Sequence, residues 1–91
     1  SFKGGVAATV TLPADGKTYS IRITETFEDG VAVATPTAKT GPVVTASGAI
    51  TLPLGKGDTY KVELVAADGT VASTVTVVVA ADGTVATPVV L

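Results

Sequence analysis

Apolar and polar residues alternate along most of the chain with a period of two. The stretch from Tyr19 to Ile23 reads YSIRI, and Tyr60 to Val62 reads YKV. Successive side chains of a β-strand point to opposite faces, so this alternation predicts strands that are buried on one face. No segment shows a helical period of useful length. The predicted strands lie near residues 5–12, 17–27, 31–36, 42–47, 49–54, 58–67, 70–80 and 84–90, with loops at 36–42 and 55–58.

The dipeptide Asp-Gly occurs four times, at residues 15–16, 29–30, 68–69 and 82–83. Between apolar runs it is a strong signal for a tight turn, because glycine adopts positive φ without strain and aspartate tolerates it. Two of these turns lie in the octapeptide VAADGTVA, which occupies residues 65–72 and recurs unchanged at 79–86. We interpret the repeat as one turn used twice. A strand over 70–80 would span about 33 Å, which puts Asp68 and Asp82 at opposite ends of the molecule and prevents a shared ligand.

The residues that flank each turn separate the four turns into two kinds. A two-residue turn pairs its flanking residues symmetrically, and paired residues share a face of the sheet. Around residues 15–16 and 68–69 the paired positions are apolar on both strands, which predicts two true hairpins. The pairs are Leu12 with Tyr19, Val10 with Ile21 and Ala8 with Ile23 at the first turn, and Ala66 with Val71, Val62 with Val75 and Tyr60 with Val77 at the second.

The turns at residues 29–30 and 82–83 do not fit that symmetric pairing. There the same rule sets apolar residues against polar ones, such as Val31 against Glu28. We therefore expect a bulge, or a crossing from one sheet to the other, at each of these two turns.

This order of hairpins and crossings resembles that of immunoglobulin-like and fibronectin-III-like sandwiches. The segment Gly57–Asp58–Thr59–Tyr60 resembles the tyrosine corner of that family, in which a tyrosine hydroxyl bonds to backbone upstream. The resemblance covers roughly residues 5–80 and lacks the cysteine pair and core tryptophan of antibody domains. It implies an all-β, antiparallel, two-sheet Greek-key sandwich of seven to eight strands, with residues 1–91 as a single domain. A jelly roll and a small closed barrel are the alternative folds.

The composition narrows the classes of partner. Hydrophobic residues make up 46% of the chain and are mostly Val and Ala, whereas His, Cys, Met, Trp, Asn and Gln are absent. The net charge of −2 gives no basic surface for nucleic acid, and the longest apolar stretch, Val75–Ala81, is too short to cross a membrane as a helix. We expect a monomer without a nucleic-acid or membrane partner. A protein partner at loop 36–42 or at an edge strand would need no pocket.

The residues that carry chemistry are scattered, and we predict no catalytic, cofactor-binding or metal site. Calcium loops need alternating acidic residues with a distal glutamate, whereas the only acidic concentration here is Glu25, Glu28 and Asp29 around one turn. Without His or Cys, the usual pairs of nucleophile and base cannot be built. Gly55–Lys56–Gly57 lacks the spacing of a phosphate loop. We expect no enzymatic activity and no cofactor.

Glu25 shares a face with an apolar stripe, formed by Ile21, Ile23 and Phe27. In some bacterial surface sandwiches such a carboxylate assists an isopeptide bond between a lysine and an aspartate, and Lys3 would be the amine here. The interpretation we favour is that Glu25 lies at the end of its strand and reaches solvent.

Two further predictions concern single elements. Strand 70–80 contains the uncharged run Thr76–Val79, which would promote aggregation on an exposed edge. We therefore expect this strand to lie in the interior of its sheet. We also expect Tyr60 to be buried, with its hydroxyl hydrogen-bonded.

The main functional hypothesis is a de novo designed, idealised β-sandwich that serves as a stable scaffold and has no natural activity. It rests on the six missing residue types, the recurring Asp-Gly turns and the agreement of patterning with turn position. One alternative is a natural, extracellular bacterial immunoglobulin-like module with a structural or adhesive role. The other is a designed binder that uses loop 36–42 or an edge strand.

Overall fold

The computed structural model describes residues 3–91 as two β-sheets that pack face to face around one core. Its strands are β1 (Val6–Val10), β2 (Tyr19–Glu28), β3 (Val31–Ala32), β4 (Ala38–Val44), β5 (Gly48–Leu52), β6 (Thr59–Ala66), β7 (Val71–Val78) and β8 (Val89–Val90). These residues contain no helix. The all-β, two-sheet architecture that the alternation predicts is confirmed.

Sheet A contains three strands in the order β5, β1, β8. β1 pairs antiparallel with β5, where Val6 lies opposite Leu52, and parallel with β8, where Ala8 lies opposite Val89. Sheet B contains five strands, with β3 and β4 on one side of β2 and with β6 and then β7 on the other. β2 is therefore the central strand of sheet B, and every pairing within sheet B is antiparallel.

The core is built from the alternate, inward-facing positions of the central strands. β1 shows this directly, because Val6, Ala8 and Val10 are buried while Ala7 and Thr9 are exposed. The most deeply buried side chains are Val10, Ile21, Ile23, Leu52, Leu54, Tyr60, Val62, Leu64 and Val77. They come from both sheets, and burial of this apolar area is the main force that holds the sheets together.

The predicted hairpin between the first two strands is wrong. β1 pairs only within sheet A and β2 only within sheet B, so the segment around Asp15 crosses between sheets. Pro13 lacks the N–H that a hairpin ladder would need at its position. The chain leaves the strand there, and the neighbouring Leu12 N–H donates instead to the Ser47 hydroxyl at 2.9 Å.

The Asp29–Gly30 turn is a tight hairpin, although its flanking residues do not match in polarity. Both turn residues have positive φ, 48° for Asp29 and 79° for Gly30, which is the type I′ geometry of two-residue hairpins. Glu28 lies opposite Val31, as symmetric pairing requires. The mismatch is tolerated because this hairpin extends beyond the core, where Val31 is 69% exposed. The bulge or crossing expected at this turn is therefore wrong. β2 does have a bulge, but it lies in the pairing with β6, between Glu25 and Phe27.

The two copies of VAADGTVA form the same turn. Gly69 N–H donates to Ala66 C=O and Ala66 N–H to Thr70 C=O, and in the second copy Gly83 and Ala80 make the corresponding bonds. Both glycines have φ +89°, so each turn is a three-residue loop with a glycine bulge. The interpretation of one turn used twice is confirmed.

The hairpin of β6 and β7 has the predicted register over most of its length. Tyr60 lies opposite Val77 and Val62 opposite Val75, as expected. Near the turn the extra residue Ala72 shifts the pairing, and Val71 lies opposite Val65 rather than Ala66. After the second copy of the turn, the chain crosses to sheet A, which was one of the two alternatives expected there.

Three further sequence predictions are wrong. Residues 36–42 are not a loop throughout, because β4 begins at Ala38 and a bulge near Gly41 lets it pair with β2. The last strand is limited to Val89–Val90. Strand 70–80 is not interior, because β7 ends the order of sheet B and β8 pairs with β1 instead.

Candidate functional site

The densest group of ionisable side chains lies at one end of the sandwich, which we call the acidic end. There the loop between β5 and β6 meets the hairpin of β2 and β3. An open cleft of about 390 Å³ is lined by Lys3, Gly4, Glu28, Asp29, Gly55, Lys56 and Asp58. The sequence pattern groups only Glu25, Glu28 and Asp29, because Asp58 is remote in sequence and reaches them only through the β2–β6 pairing.

Tyr60 anchors this end from within the core. Its side chain is fully buried, and its hydroxyl accepts a hydrogen bond from Gly55 N–H at 2.9 Å and donates one to Asp58 Oδ2 at 3.1 Å. The predicted burial and the predicted bond to upstream backbone are both confirmed. Burial raises the pKa of Tyr60. Because Tyr60 does not line the cleft, its hydroxyl fixes the loop and is not presented to a ligand.

Asp58 connects the loop to the neighbouring hairpin. It is only 3% exposed, and its Oδ1 accepts a hydrogen bond from Asp29 N–H at 3.2 Å. Burial acts to raise the pKa of Asp58, but hydrogen bonds to its carboxylate, including those from Asp29 and Tyr60, outweigh burial and lower it. Gly57 is required beside it, because a Cβ there would lie 2.9 Å from Asp29 Oδ1.

Glu25 belongs to the same network and does not simply reach solvent. A hydrogen bond and the like charge from Glu25 raise the pKa of Glu28. β2 continues past Glu25 to Glu28, and Glu25 is half-buried at the bulge opposite Tyr60. Its predicted place at the end of the strand is therefore wrong. Lys3, the amine considered for an isopeptide bond, lines the cleft together with Asp58.

The acidic end does not have the geometry of a metal centre. No group of three or more acidic side chains among residues 3–91 is arranged to hold a metal ion. Every fully buried side-chain N or O atom in this part of the chain has a hydrogen-bond partner. The arrangement instead fixes the backbone of two segments. Asp58 accepts a hydrogen bond from an N–H group of the β2–β3 turn, and Tyr60 accepts one from the loop before β6.

A second cluster lies at the opposite end of the sandwich. Tyr19 donates a hydrogen bond to Asp15 Oδ2 at 2.6 Å, which lowers the pKa of Asp15. Lys17 Nζ lies 3.6 Å from Asp68 Oδ2. Asp82, by contrast, is close to Lys56 at the acidic end. The prediction that Asp68 and Asp82 lie at opposite ends is confirmed.

An ion pair on the outer face of sheet B was not found from the sequence. Arg22 Nε donates to Glu63 Oε1 at 2.9 Å and Arg22 Nη2 to Oε2 at 3.1 Å. Both hydrogen bonds lower the pKa of Glu63. The ion pair could have been predicted from the β2–β6 register, which sets Arg22 opposite Glu63. These strands are 41 residues apart at this pair, so turn symmetry gives no access to it.

Comparisons with known proteins give this chain no relatives. No family model, no curated protein and no solved structure matches it. Residues 3–91 also contain no helix with the length and apolar character that a membrane crossing needs.

Proposed function

We propose that this protein is a structural scaffold: a stable sandwich that holds loops and strand edges in place and performs no catalysis. One observation carries the proposal. The most deeply buried ionisable groups of the acidic end, Asp58 and Tyr60, are engaged with each other and with backbone N–H groups. Side chains used in this way stabilise a loop, whereas a catalytic group must be free to meet a substrate.

We propose a designed origin on sequence features. Six residue types are missing, and one octapeptide supplies two turns. The use of the same turn residues, matched to the required φ values, at different places in the chain is typical of designed proteins. The structure supports this in one respect, because both glycines of the repeat occupy left-handed conformations that the turn needs.

A natural spacer or adhesion module outside the cell is the second candidate, and the path of the chain favours it. β1 and β8 are parallel, and Gly4 lies beside Leu54 while Leu91 bonds to Thr9 and Thr11. The two ends of the described chain therefore leave sheet A in opposite directions. This arrangement suits a module in a linear array.

We also propose that the sandwich is a variant of the immunoglobulin-like Greek key. The β6–β7 hairpin and the bond from Gly55 N–H to the Tyr60 hydroxyl support this assignment. β1 departs from the family's pattern, because it pairs with β5 and β8 rather than with β2.

Substitution at Asp58 tests the scaffold proposal directly. Removal of a side chain that supports the fold lowers stability, whereas removal of a side chain that serves binding often raises stability. We expect Asp58→Asn to destabilise the fold by about 1–2 kcal/mol in urea unfolding, through loss of charged hydrogen bonds. Asp29→Asn is the matched control and should be nearly neutral, because asparagine also tolerates positive φ. A gain in stability for Asp58→Asn would instead indicate a binding site.

A further inference from the structure

The outer edge of β7 has no strand beside it. β7 is the last strand of sheet B, and the described part of the chain supplies no further one. On the inner side, Val79 N–H donates to Asp58 C=O in the ladder with β6. Backbone groups of successive residues in an antiparallel strand point to opposite sides. Those of Thr74, Thr76, Val78 and Ala80 therefore point outward. Ala80 N–H bonds to Thr84 C=O, where the chain turns back, and the other three residues form a row that an added strand would pair with.

β7 lacks the features that usually block a strand edge. Its eight residues, VASTVTVV, include no charge and no proline. By comparison, β4 on the other side of sheet B carries Lys39 and Pro42. The edges of sheet A are β5 and β8, which are only five and two residues long. Among the described strands, β7 is thus the longest edge without protection.

An apolar groove runs beside this edge. Its volume is about 220 Å³, and it is lined by residues 75–78 of β7 and 85–89 of the crossing to sheet A. A core-facing position of β7 is incompletely covered here, because Val75 is only half-buried. The cause is the short β8, which leaves sheet A too narrow to cover this part of sheet B. An added strand would place its core-facing side chains over the groove.

We propose that β7 pairs with the β7 of a second copy of this chain, antiparallel about a two-fold axis, so that two B sheets become one continuous sheet. A register centred on Val75 sets Thr74 opposite Thr76 and Val75 opposite its own copy. Valine then meets valine at the centre of the groove side, with Ser73 opposite Val77 next to it, and threonine meets threonine outside, so the central cross-strand pairs are favourable. The interface is isologous and closes at two copies.

The self-complementary pairs at the centre of this register favour a second copy as the occupant, and charge does not oppose it. Because β7 has no charged residue, no two-fold register sets like charges opposite each other. The net charge of −2 adds only weak repulsion between copies. β7 supplies eight residues, fewer than the roughly 20–30 per side of a standard interface, so the dimer is weak and reversible. This proposal replaces the expectation of a monomer.

Sedimentation equilibrium over a wide range of protein concentration tests the proposal. The wild type should show a monomer–dimer equilibrium. Thr76→Lys brings ammonium groups close together in the dimer and should weaken association by at least about tenfold. Thr9→Lys makes the same exchange at an exposed position of the central strand β1 and should leave association unchanged. Thr74→Lys is a second edge variant to use if Thr76→Lys does not fold.

Amide exchange gives a second readout. With increasing concentration, the amides of Thr74, Thr76 and Val78 should become protected in the wild type and remain fast in the edge variants. A chain that stays monomeric at every concentration, with fast exchange at these amides, would overturn the proposal and leave the edge to a strand of another protein. A dimer that Thr76→Lys leaves intact, or that Thr9→Lys weakens equally, would also overturn it.

Discussion

Tyr60 shows how one side chain sets local structure at the acidic end. Its ring fills the core between the sheets, and its hydroxyl holds the loop that leads into β6. The sequence placed Tyr60 correctly, because burial follows from alternation and the hydroxyl partner lies only five residues upstream. Its bond to Asp58 was not foreseen, since nothing in the sequence shows that this carboxylate turns inward.

Tyr60→Phe should cost on the order of 1 kcal/mol, because Gly55 N–H loses its acceptor and Asp58 loses a donor. Urea unfolding measures the change. Tyr19→Phe is the matched control: its hydroxyl bonds to the exposed Asp15, which water can solvate, so the cost should be smaller. Equal stability of Tyr60→Phe and the wild type would mean that the loop is not held by this hydroxyl.

Stability should fall in acid, in part through Glu63. Arg22 lowers the pKa of Glu63 below its ordinary 4.5, so the folded state binds this proton less readily than the unfolded state. Stability from the pair is therefore present above pH 4.5 and is lost as pH falls through the lowered folded value. Glu63→Gln should lower the melting midpoint modestly at neutral pH, because Arg22 is 40% exposed, and the difference should shrink in acid.

Glu28→Gln is the control for that series. The pKa of Glu28 is raised by Glu25, so its ionised form is disfavoured in the folded state and its charge contributes no stability at neutral pH. Removing it should leave the midpoint unchanged or higher. If Glu63→Gln and Glu28→Gln behaved alike, the Arg22 pair would not contribute to acid sensitivity.

At the scale of elements, local sequence determines the turns, while distant partners determine whether the next segment forms a hairpin or crosses between sheets. The octapeptide gives one turn in both copies, yet the first leads into a hairpin and the second into a crossing. Symmetric pairing predicted the β6–β7 register but failed for β1, where Pro13 was the overlooked signal. The β4 strand was missed because Gly41 and Pro42 suggest a loop, and only its pairing with β2 makes it a strand.

Gly69→Ala and Gly83→Ala should each cost about 1–2 kcal/mol, because both glycines have φ +89°, which disfavours a Cβ. Thermal unfolding of the two variants measures this. The Gly83 variant also brings a Cβ to 3.3 Å from Lys56 Cε, a flexible side chain that can move, so the two costs should be similar. A neutral effect at either glycine would show that the two turns differ in solution.

At the scale of the whole molecule, a scaffold depends on two sheets that are stable together. Sheet A has three short strands, and β1 is held there by β5 and by two residues of β8. A sheet of this size is marginal alone and depends on packing against sheet B. The shared core predicts that neither sheet opens without the other.

Native-state amide hydrogen exchange, followed residue by residue by NMR, measures this dependence. The protected amides of β1 in sheet A and of β6 in sheet B should exchange with the same free energy of opening, equal to that of global unfolding. The two sets should also respond equally to added urea, because both open only when the shared core is lost. If the β1 amides exchanged through a separate opening of much lower free energy, while β6 stayed protected, the protein would not be a single two-sheet scaffold.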